Sequence, residues 1–99
     1  MPPKARQAFA ILSEAMQVVT LYTTEHCSRC VSAKMLLARR GIAYEEINLA
    51  KDPDGRAQLQ QRTGMFTFPQ IVIGAETLGG FDELLAADRA GRLSELTAA

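Results

Sequence analysis

The chain has 99 residues, with 11 basic and 11 acidic side chains and a formal net charge of zero. This length allows one domain with a single core. The neutral charge argues against nucleic acid as a partner, because such binding usually needs a basic surface, and it gives no support for membrane-surface binding. No apolar run approaches the roughly 20 residues that span a bilayer. We therefore expect a protein that binds neither nucleic acid nor membrane. The apolar stretch after Lys4 and Arg6 is too short and too interrupted for a signal peptide, so we expect a cytoplasmic protein, with a mitochondrial transit peptide as the alternative.

Residues 1–17 are predicted to form a helical extension ahead of a main domain that spans residues 18–99. Four apolar residues recur there at intervals of four, three and four: Ala5, Phe9, Leu12 and Met16. This spacing places them on one stripe of a helix. We interpret the stripe as a docking face that covers core, with partner binding as the alternative.

The first predicted strand and helix of the main domain flank a CxxC motif. The segment Val18–Thr23 (VVTLYT) is short, β-branched and apolar on both faces, which is typical of a buried strand in an α/β sheet. A helix is predicted over Cys30–Arg40, with two arginines at its C-terminal end, where cations are favourable. Its predicted apolar side is a stripe of three residues broadened by two more: Val31, Met35 and Ala38, then Ala33 and Leu37.

The rest of the chain continues the alternation of strands and helices. Further elements are predicted over Ala43–Leu49 (strand), Asp52 to about Arg62 (helix), Phe66–Ile73 (strand), Glu76–Leu78 (strand), Phe81 to near Gly91 (helix) and residues 92–96 (one helical turn). Asp52 is the predicted cap of its helix, and Gly64 the predicted end. The order predicts an α/β domain with a central four-stranded mixed sheet flanked by helices.

Cys27 and Cys30 are the only cysteines in the chain, and they stand where the first strand gives way to the first helix. A helix N-terminus offers unpaired N–H groups and partial positive charge, which stabilise a thiolate, the nucleophile of disulfide chemistry. A zinc site would need four ligands, and the chain has two cysteines and one histidine. Two structural core cysteines are not expected around the polar Ser28 and Arg29. A working redox pair is therefore the favoured interpretation, and no metal site is predicted.

Pro69 stands inside an apolar strand pattern, where its missing N–H would interrupt the hydrogen-bond ladder. A cis peptide bond is one resolution of this conflict. An edge-strand proline is the other, and the residues alone leave both open.

Three segments in a fixed order, YTTEHCSRC, TFPQIVI and LGGFDEL, resemble the glutaredoxins, small members of the thioredoxin superfamily. The resemblance runs from Val18 onward. It implies a thioredoxin-like fold and a glutathione-dependent thiol–disulfide oxidoreductase that reduces protein–glutathione mixed disulfides and protein disulfides. Glutathione would be the co-substrate, glutathionylated or disulfide-bonded proteins would be the partners, and we expect a monomer.

The resemblance also implies roles for individual residues. Cys27 takes the place of the nucleophile and Cys30 that of the resolving cysteine. Pro69 takes the place of a cis-proline beside the nucleophile, within the glutathione-binding segment Thr67-Phe68-Pro69. The backbone of Phe68 would pair with the cysteine moiety of glutathione.

The segment Gly79, Gly80, Phe81 and Asp82 matches the GG-x-D motif that holds the γ-glutamyl end of glutathione. A helix N-terminus at this point suits the γ-glutamyl carboxylate, and the Asp82 side chain suits the ammonium.

The sequence departs from the usual family pattern at several positions. The motif is CSRC where many members have CPYC, and Thr24 and Phe66 stand where many members have a lysine and an arginine. Two expected cations are therefore absent. Arg29 could attract the glycyl carboxylate instead, and Gln61 or Arg62 could also compensate. Glutathione affinity is the property that these departures affect most.

Ser28 leaves open a function of another class. Some glutaredoxins with serine after the first cysteine hold a [2Fe–2S] cluster between two subunits, where glutathione completes the ligands. Two Cys27 thiolates and two glutathiones would supply the four thiolates. Arg29 departs from the aromatic residue usual in such members. Coupling to thioredoxin reductase is a third interpretation, and the GG-x-D segment argues against it.

Overall fold

The computed structural model describes residues 18–96, so the predicted helical extension over residues 1–17 lies outside the described residues. The elements in chain order are β1 (Val19–Thr23), α1 (Ser28–Arg39), β2 (Glu45–Asn48), α2 (Pro53–Thr63), β3 (Gln70–Ile73), β4 (Glu76–Gly79), α3 (Phe81–Arg89) and a 3₁₀ turn (Arg92–Leu96).

The strands of residues 18–96 form one four-stranded mixed sheet in the order β2-β1-β3-β4. β1 and β2 are parallel, while β1–β3 and β3–β4 are antiparallel. The pairing aligns Leu21 of β1 with Glu46 of β2 on one side and with Ile71 of β3 on the other. This arrangement confirms the predicted α/β class and the predicted mixed sheet.

The hydrophobic core lies between the sheet and the helices α1 and α3. Leu21, Leu37, Ile71 and Leu84 are completely enclosed and contribute one residue each from β1, α1, β3 and α3. Burial of a leucine or isoleucine side chain stabilises a fold by about 1.5–3 kcal/mol. In β1 the buried residues alternate with half-buried ones, whereas all four residues of β3 are buried. β3 is therefore covered on both faces, as expected for a central strand.

The predicted buried side of α1 is partly wrong. Ala33 and Leu37 are buried as expected, but Val31 and Met35 are 50% and 56% exposed, and Ala38 is exposed as well. The buried stripe instead consists of Cys30, Ala33, Leu36 and Leu37. The helix is apolar around most of its circumference, so two stripes offset by one residue fit the same pattern. Packing that turns Cys30 inward decides between them.

The predicted helix ends are largely confirmed, and several other boundaries change. Asp52 caps α2 by accepting the N–H of Gly55 at 2.9 Å, and Gly64 ends it in the left-handed region with φ of 76°. α1 begins at Ser28, two residues before the predicted start. β2 is shorter than the predicted 43–49.

The strand predicted over residues 66–73 begins only at Gln70, because residues 66–69 form a loop. A proline has no N–H for a sheet ladder, which accounts for the late start. Across residues 18–96, no helix combines the length and apolar character that a membrane crossing requires.

Candidate active site

Cys27 caps the N-terminus of α1. Its backbone is extended (φ −121°, ψ 100°), and its Sγ accepts the backbone N–H of Cys30 at 3.1 Å. The two cysteines form a disulfide with their Cα atoms 5.2 Å apart. Cys27 is half-buried, whereas Cys30 is only 2% exposed. The pair therefore has one sulfur that a substrate can reach and one that lies within the fold.

The start of α1 carries a favourable field for negative charge on Cys27. The first turn consists of Ser28, Arg29, Cys30 and Val31, so its side chains bring one cation and no anion. The N–H groups of a first helical turn have no partner within the helix and carry partial positive charge. A thiolate at Cys27 would be stabilised by these N–H groups, of which that of Cys30 already donates to Sγ.

The loop before β3 brings a second segment to the cysteines. The Phe68–Pro69 peptide bond is cis, and the carbonyl oxygen of Phe68 lies 3.8 Å from Cys27 Sγ. Pro69 is completely buried, and β3 is a central strand. The cis alternative is thus the one found, and the edge-strand alternative is wrong. Thr67 is exposed on the same loop.

A buried amide holds this loop in place. Gln70 is 1% exposed, and its Nε2 donates to the carbonyl oxygens of Thr67 at 2.9 Å and Met65 at 3.3 Å. Its Oε1 lies 2.8 Å from the hydroxyl oxygen of Thr63 at the end of α2. Buried amides are costly unless both ends are paired, and this one is paired at both ends. Sequence reasoning missed Gln70; the signal was a glutamine directly after a proline in an apolar strand.

The third predicted segment forms the start of α3. Gly79 has φ of 131°, and a Cβ at this position would come within 2.7 Å of Glu83 Cγ, so glycine is needed here. The Gly80 N–H donates to Glu83 Oε1 at 2.7 Å. Phe81 packs against the core, and the side chain of Asp82 is 75% exposed. The first turn of α3 thus faces solvent beside Asp82.

Arg29 joins the CSRC and GG-x-D segments. Its Nη2 lies 2.5 Å from Asp82 Oδ1, and its guanidinium carbon lies 5.5 Å from the centre of the Phe81 ring. From the sequence, Arg29 was a candidate partner for the glycyl carboxylate of glutathione, but its guanidinium contacts Asp82, the residue matched to the γ-glutamyl end. The sequence gives no signal for this pair, because its partners are 53 positions apart.

The two positions at which a lysine and an arginine were expected lie at the rim of the site. Phe66 is 79% exposed, and Thr24 is half-buried. Phe66 and Phe68 line a groove of about 320 Å³ together with Arg56. The Arg56 guanidinium donates to two carbonyl oxygens, at 2.6 and 2.9 Å. The Arg62 Nη1 lies 3.4 Å from the Tyr22 hydroxyl.

Comparisons with known proteins agree with this geometry. The glutaredoxin family model matches residues 19–78. The glutaredoxin of Pseudomonas aeruginosa is 44% identical over 84 residues, which cover 85% of this chain and 100% of that protein. The solution structure of glutaredoxin from Brucella melitensis superimposes with a TM-score of 0.73 at 44% identity and covers 85% of this chain and 92% of that chain. The crystal structure of the buckwheat glutaredoxin–glutathione complex superimposes with a TM-score of 0.74 at 27% identity and covers 96% and 94%.

The sequence matches, the fold and the site geometry all indicate the same family. The mixed sheet and its helices form a thioredoxin-like fold, as the structural neighbours do. The CxxC pair forms a disulfide at the start of α1, and such a pair can take part in thiol–disulfide exchange. The chain therefore belongs to the glutaredoxin family and is a thiol–disulfide oxidoreductase.

Proposed function

We propose that this protein uses glutathione to reduce protein–glutathione mixed disulfides and protein disulfides, with Cys27 as the nucleophile and Cys30 as the resolving cysteine. The observation that carries the proposal is the Cys27–Cys30 pair at the start of α1, with the Phe68 carbonyl oxygen 3.8 Å from Cys27 Sγ. The similarity to a glutaredoxin–glutathione complex supports glutathione as the co-substrate.

Exposure supports the division of roles between the two sulfurs. Cys27 is half-buried and its Sγ accepts the backbone N–H of Cys30, so its thiolate is both stabilised and reachable. Cys30 is 2% exposed, which prevents attack on a large protein substrate. Cys27 is therefore the sulfur that meets substrate, and Cys30 acts within the chain.

Reduction of a glutathionylated protein needs only Cys27. The Cys27 thiolate attacks the glutathione sulfur, the new bond forms, and the substrate sulfur leaves as a thiolate that takes up a proton. A second glutathione thiolate then attacks the bound glutathione sulfur. This step releases the Cys27 thiolate and glutathione disulfide, which joins the free glutathione to the one that came from the substrate, so one free glutathione is consumed for each protein thiol released.

Reduction of a protein disulfide uses both cysteines. Cys27 attacks one substrate sulfur and forms a mixed disulfide, and the other substrate sulfur leaves as a thiolate. The Cys30 thiolate then attacks Cys27 Sγ, which releases the second substrate thiolate and leaves the intramolecular disulfide. The closed pair in the structure corresponds to this product. Two glutathione thiolates reopen it.

Three parts of the site are suited to hold glutathione. The backbone of Phe68 would pair with the cysteine moiety as a short strand addition, in a loop that Gln70 fixes. The first turn of α3 suits the γ-glutamyl carboxylate, and Asp82 suits the ammonium. The proposal includes a monomer in the cytoplasm, where glutathione keeps thiols reduced.

Binding of a [2Fe–2S] cluster is the second function to test. Among residues 18–96 there is no group of three or more His, Cys, Asp and Glu side chains that could hold a metal. A cluster would therefore need a Cys27 from each of two chains together with glutathione thiolates. In the oxidised form Cys27 Sγ is bonded to Cys30, so the closed pair does not fit this ligand set.

The test measures turnover of a glutathionylated peptide with glutathione and glutathione reductase, beside the same assay with thioredoxin reductase. We expect turnover with the glutathione system and little with the other. Turnover only with thioredoxin reductase would contradict the proposal. A visible spectrum of anaerobically purified protein tests the second function. Absorbance that disappears when glutathione is removed, in a dimeric fraction, would favour cluster binding.

A further inference from the structure

The guanidinium of Arg29 covers the part of α3 that the proposed function assigns to the γ-glutamyl end of glutathione. It contacts Asp82 Oδ1 at 2.5 Å and lies 5.5 Å from the centre of the Phe81 ring. Phe81 and Asp82 are the first two residues of α3. The γ-glutamyl ammonium of an incoming glutathione would bind the same carboxylate, which Arg29 already neutralises.

We propose that Arg29 is a specificity-determining residue that competes with the γ-glutamyl ammonium of glutathione for Asp82. The inference rests on the proposed function. The consequence of this competition is that the γ-glutamyl ammonium adds little to the affinity of the native protein for glutathione. The protein therefore discriminates only weakly between glutathione and a glutathione analogue that lacks this ammonium.

The surroundings of the pair set the size of the effect. The side chains of Arg29 and Asp82 are 54% and 75% exposed, so the ion pair stands in water. Exposed ion pairs are weak, and stacking over an aromatic ring adds a modest attraction. The pair therefore opens readily, and Asp82 can bind the ammonium while the pair is open. The apparent affinity for glutathione falls only in proportion to the fraction of time for which the pair is closed. A discrimination change of about two- to fivefold follows from the usual strength of such pairs.

Two substrates that differ only at the γ-glutamyl nitrogen, which is an ammonium in one and an acetylated amide in the other, probe this interaction. One is a peptide disulfide-linked to glutathione, and the other is the same peptide linked to N-acetylglutathione. The measurement is the second-order rate constant for release of the peptide thiol by the reduced full chain. The quantity compared between variants is the ratio of the two rate constants, glutathione over N-acetylglutathione.

The variants form a double-mutant cycle of Arg29→Gln and Asp82→Asn, with Arg92→Gln as the control. Arg92 is a comparably exposed arginine near a different acid, Glu76, at 3.9 Å. We expect Arg29→Gln to raise the ratio about two- to fivefold in the native background and to leave it unchanged in the Asp82→Asn background. Arg92→Gln should leave the native ratio unchanged.

The outcomes separate the inference from the function on which it rests. A ratio that Arg29→Gln leaves unchanged, or the same rise in the Asp82→Asn background, would overturn the competition. A lower ratio would overturn it as well, because Arg29 would then assist binding of the γ-glutamyl end. Failure of the native protein and all variants to attack the glutathione-linked peptide would overturn both the proposed function and this inference.

Discussion

The helices α1 and α2 begin with the same geometry but with different chemistry. Cys27 Sγ accepts the Cys30 N–H at 3.1 Å, and Asp52 Oδ1 accepts the Gly55 N–H at 2.9 Å. In α2 the cap is a carboxylate, followed by the acidic Asp54 in the first turn. In α1 the cap is a sulfur and the first turn is free of acids. The same capping arrangement thus serves stability when its acceptor is inert and chemistry when its acceptor is a thiol.

The two helices also differ in how firmly the fold holds them. α1 buries Cys30, Ala33, Leu36 and Leu37. Within the described part of the chain, Leu59 is the one buried residue of α2. The reactive helix start is therefore fixed by a packed helix, whereas the inert one belongs to a helix at the surface. This contrast suits a site whose sulfur has to meet substrate in a defined position.

The largest effect is expected when the sulfur that caps α1 is replaced with a good but unreactive cap, which tests the contrast between the starts of α1 and α2. Cys27→Ser keeps an N-cap acceptor, because serine caps helices well, but a serine hydroxyl is not ionised at neutral pH. We expect the rate of deglutathionylation to fall on the order of 1000-fold or more. The free energy of unfolding of reduced protein should change by less than about 1 kcal/mol.

Cys30→Ser is the matched control for that substitution. It removes the second sulfur and leaves the proposed nucleophile in place. Much of the deglutathionylation rate should remain, while reduction of protein disulfides should be lost because the resolving step is absent. Equal losses of deglutathionylation in the two variants would contradict the division of roles.

The anchoring of α1 is tested on its two faces. Leu37→Ala empties a completely buried position and should lower the free energy of unfolding by about 2–5 kcal/mol. Met35→Ala alters a side chain that is 56% exposed and should change it by less than about 0.5 kcal/mol. Urea unfolding of reduced protein measures both. Similar losses from the two variants would mean that the exposed stripe is covered in solution.

The inert cap of α2 is tested by Asp52→Ala. Loss of the acceptor for the Gly55 N–H should lower the free energy of unfolding by about 1 kcal/mol. The deglutathionylation rate should stay within about twofold of the native value, because Asp52 belongs to a different helix start. Asp52→Asn is the matched variant, since asparagine also caps well and should restore most of the stability. A deglutathionylation rate that falls together with the stability would contradict the separate roles of the two helix starts.

The smallest effect is expected at the other end of α1. Arg40 donates to both oxygens of Asp88 on α3, at 2.6 and 2.9 Å. These hydrogen bonds from Arg40 lower the pKa of Asp88 below its usual range, against the opposing effect of desolvation. The pair therefore stabilises the fold above the ordinary aspartate pKa, and this contribution is lost as the pH falls through the lowered value.

The measurement is thermal unfolding of Arg40→Gln and Asp88→Asn between pH 7 and pH 2. Each variant should have a Tm a few degrees below the native protein at pH 7, because exposed pairs are weak. The difference should begin to shrink below about pH 4, the ordinary range in which aspartate is protonated in the unfolded chain, and should close as the pH falls through the lowered pKa of folded Asp88. A difference that persists unchanged to pH 2 would show that packing rather than charge links the two helices there.

Local chemistry made much of this fold readable from the sequence. Asp52 followed by proline, and Gly64 after the last turn, predicted both ends of α2 because capping depends on neighbouring residues. The CxxC at a strand–helix junction predicted the position of the active pair for the same reason. The buried side of α1 was less readable, since apolar residues occupy most of its circumference.

Contacts between distant polar side chains were beyond sequence reasoning. The Arg29–Asp82 pair joins residues 53 positions apart, and Gln70 finds its partners only once the loop folds back over it. Such contacts depend on tertiary placement rather than on neighbours in the chain. The choice between a cis peptide and an edge proline at Pro69 was open for the same reason, because it required knowing that β3 is central.

The two donors of the Gln70 amide have a practical consequence for redesign of substrate preference. They bind the carbonyls of Met65 and Thr67, so the length of the segment between α2 and β3 is fixed from inside the protein. An inserted residue would leave a buried donor unpaired, at a cost of about 1–3 kcal/mol. The outward side chains of Phe66 and Thr67 carry no such restriction, so variation is best introduced by exchanging residues there and leaving their number unchanged.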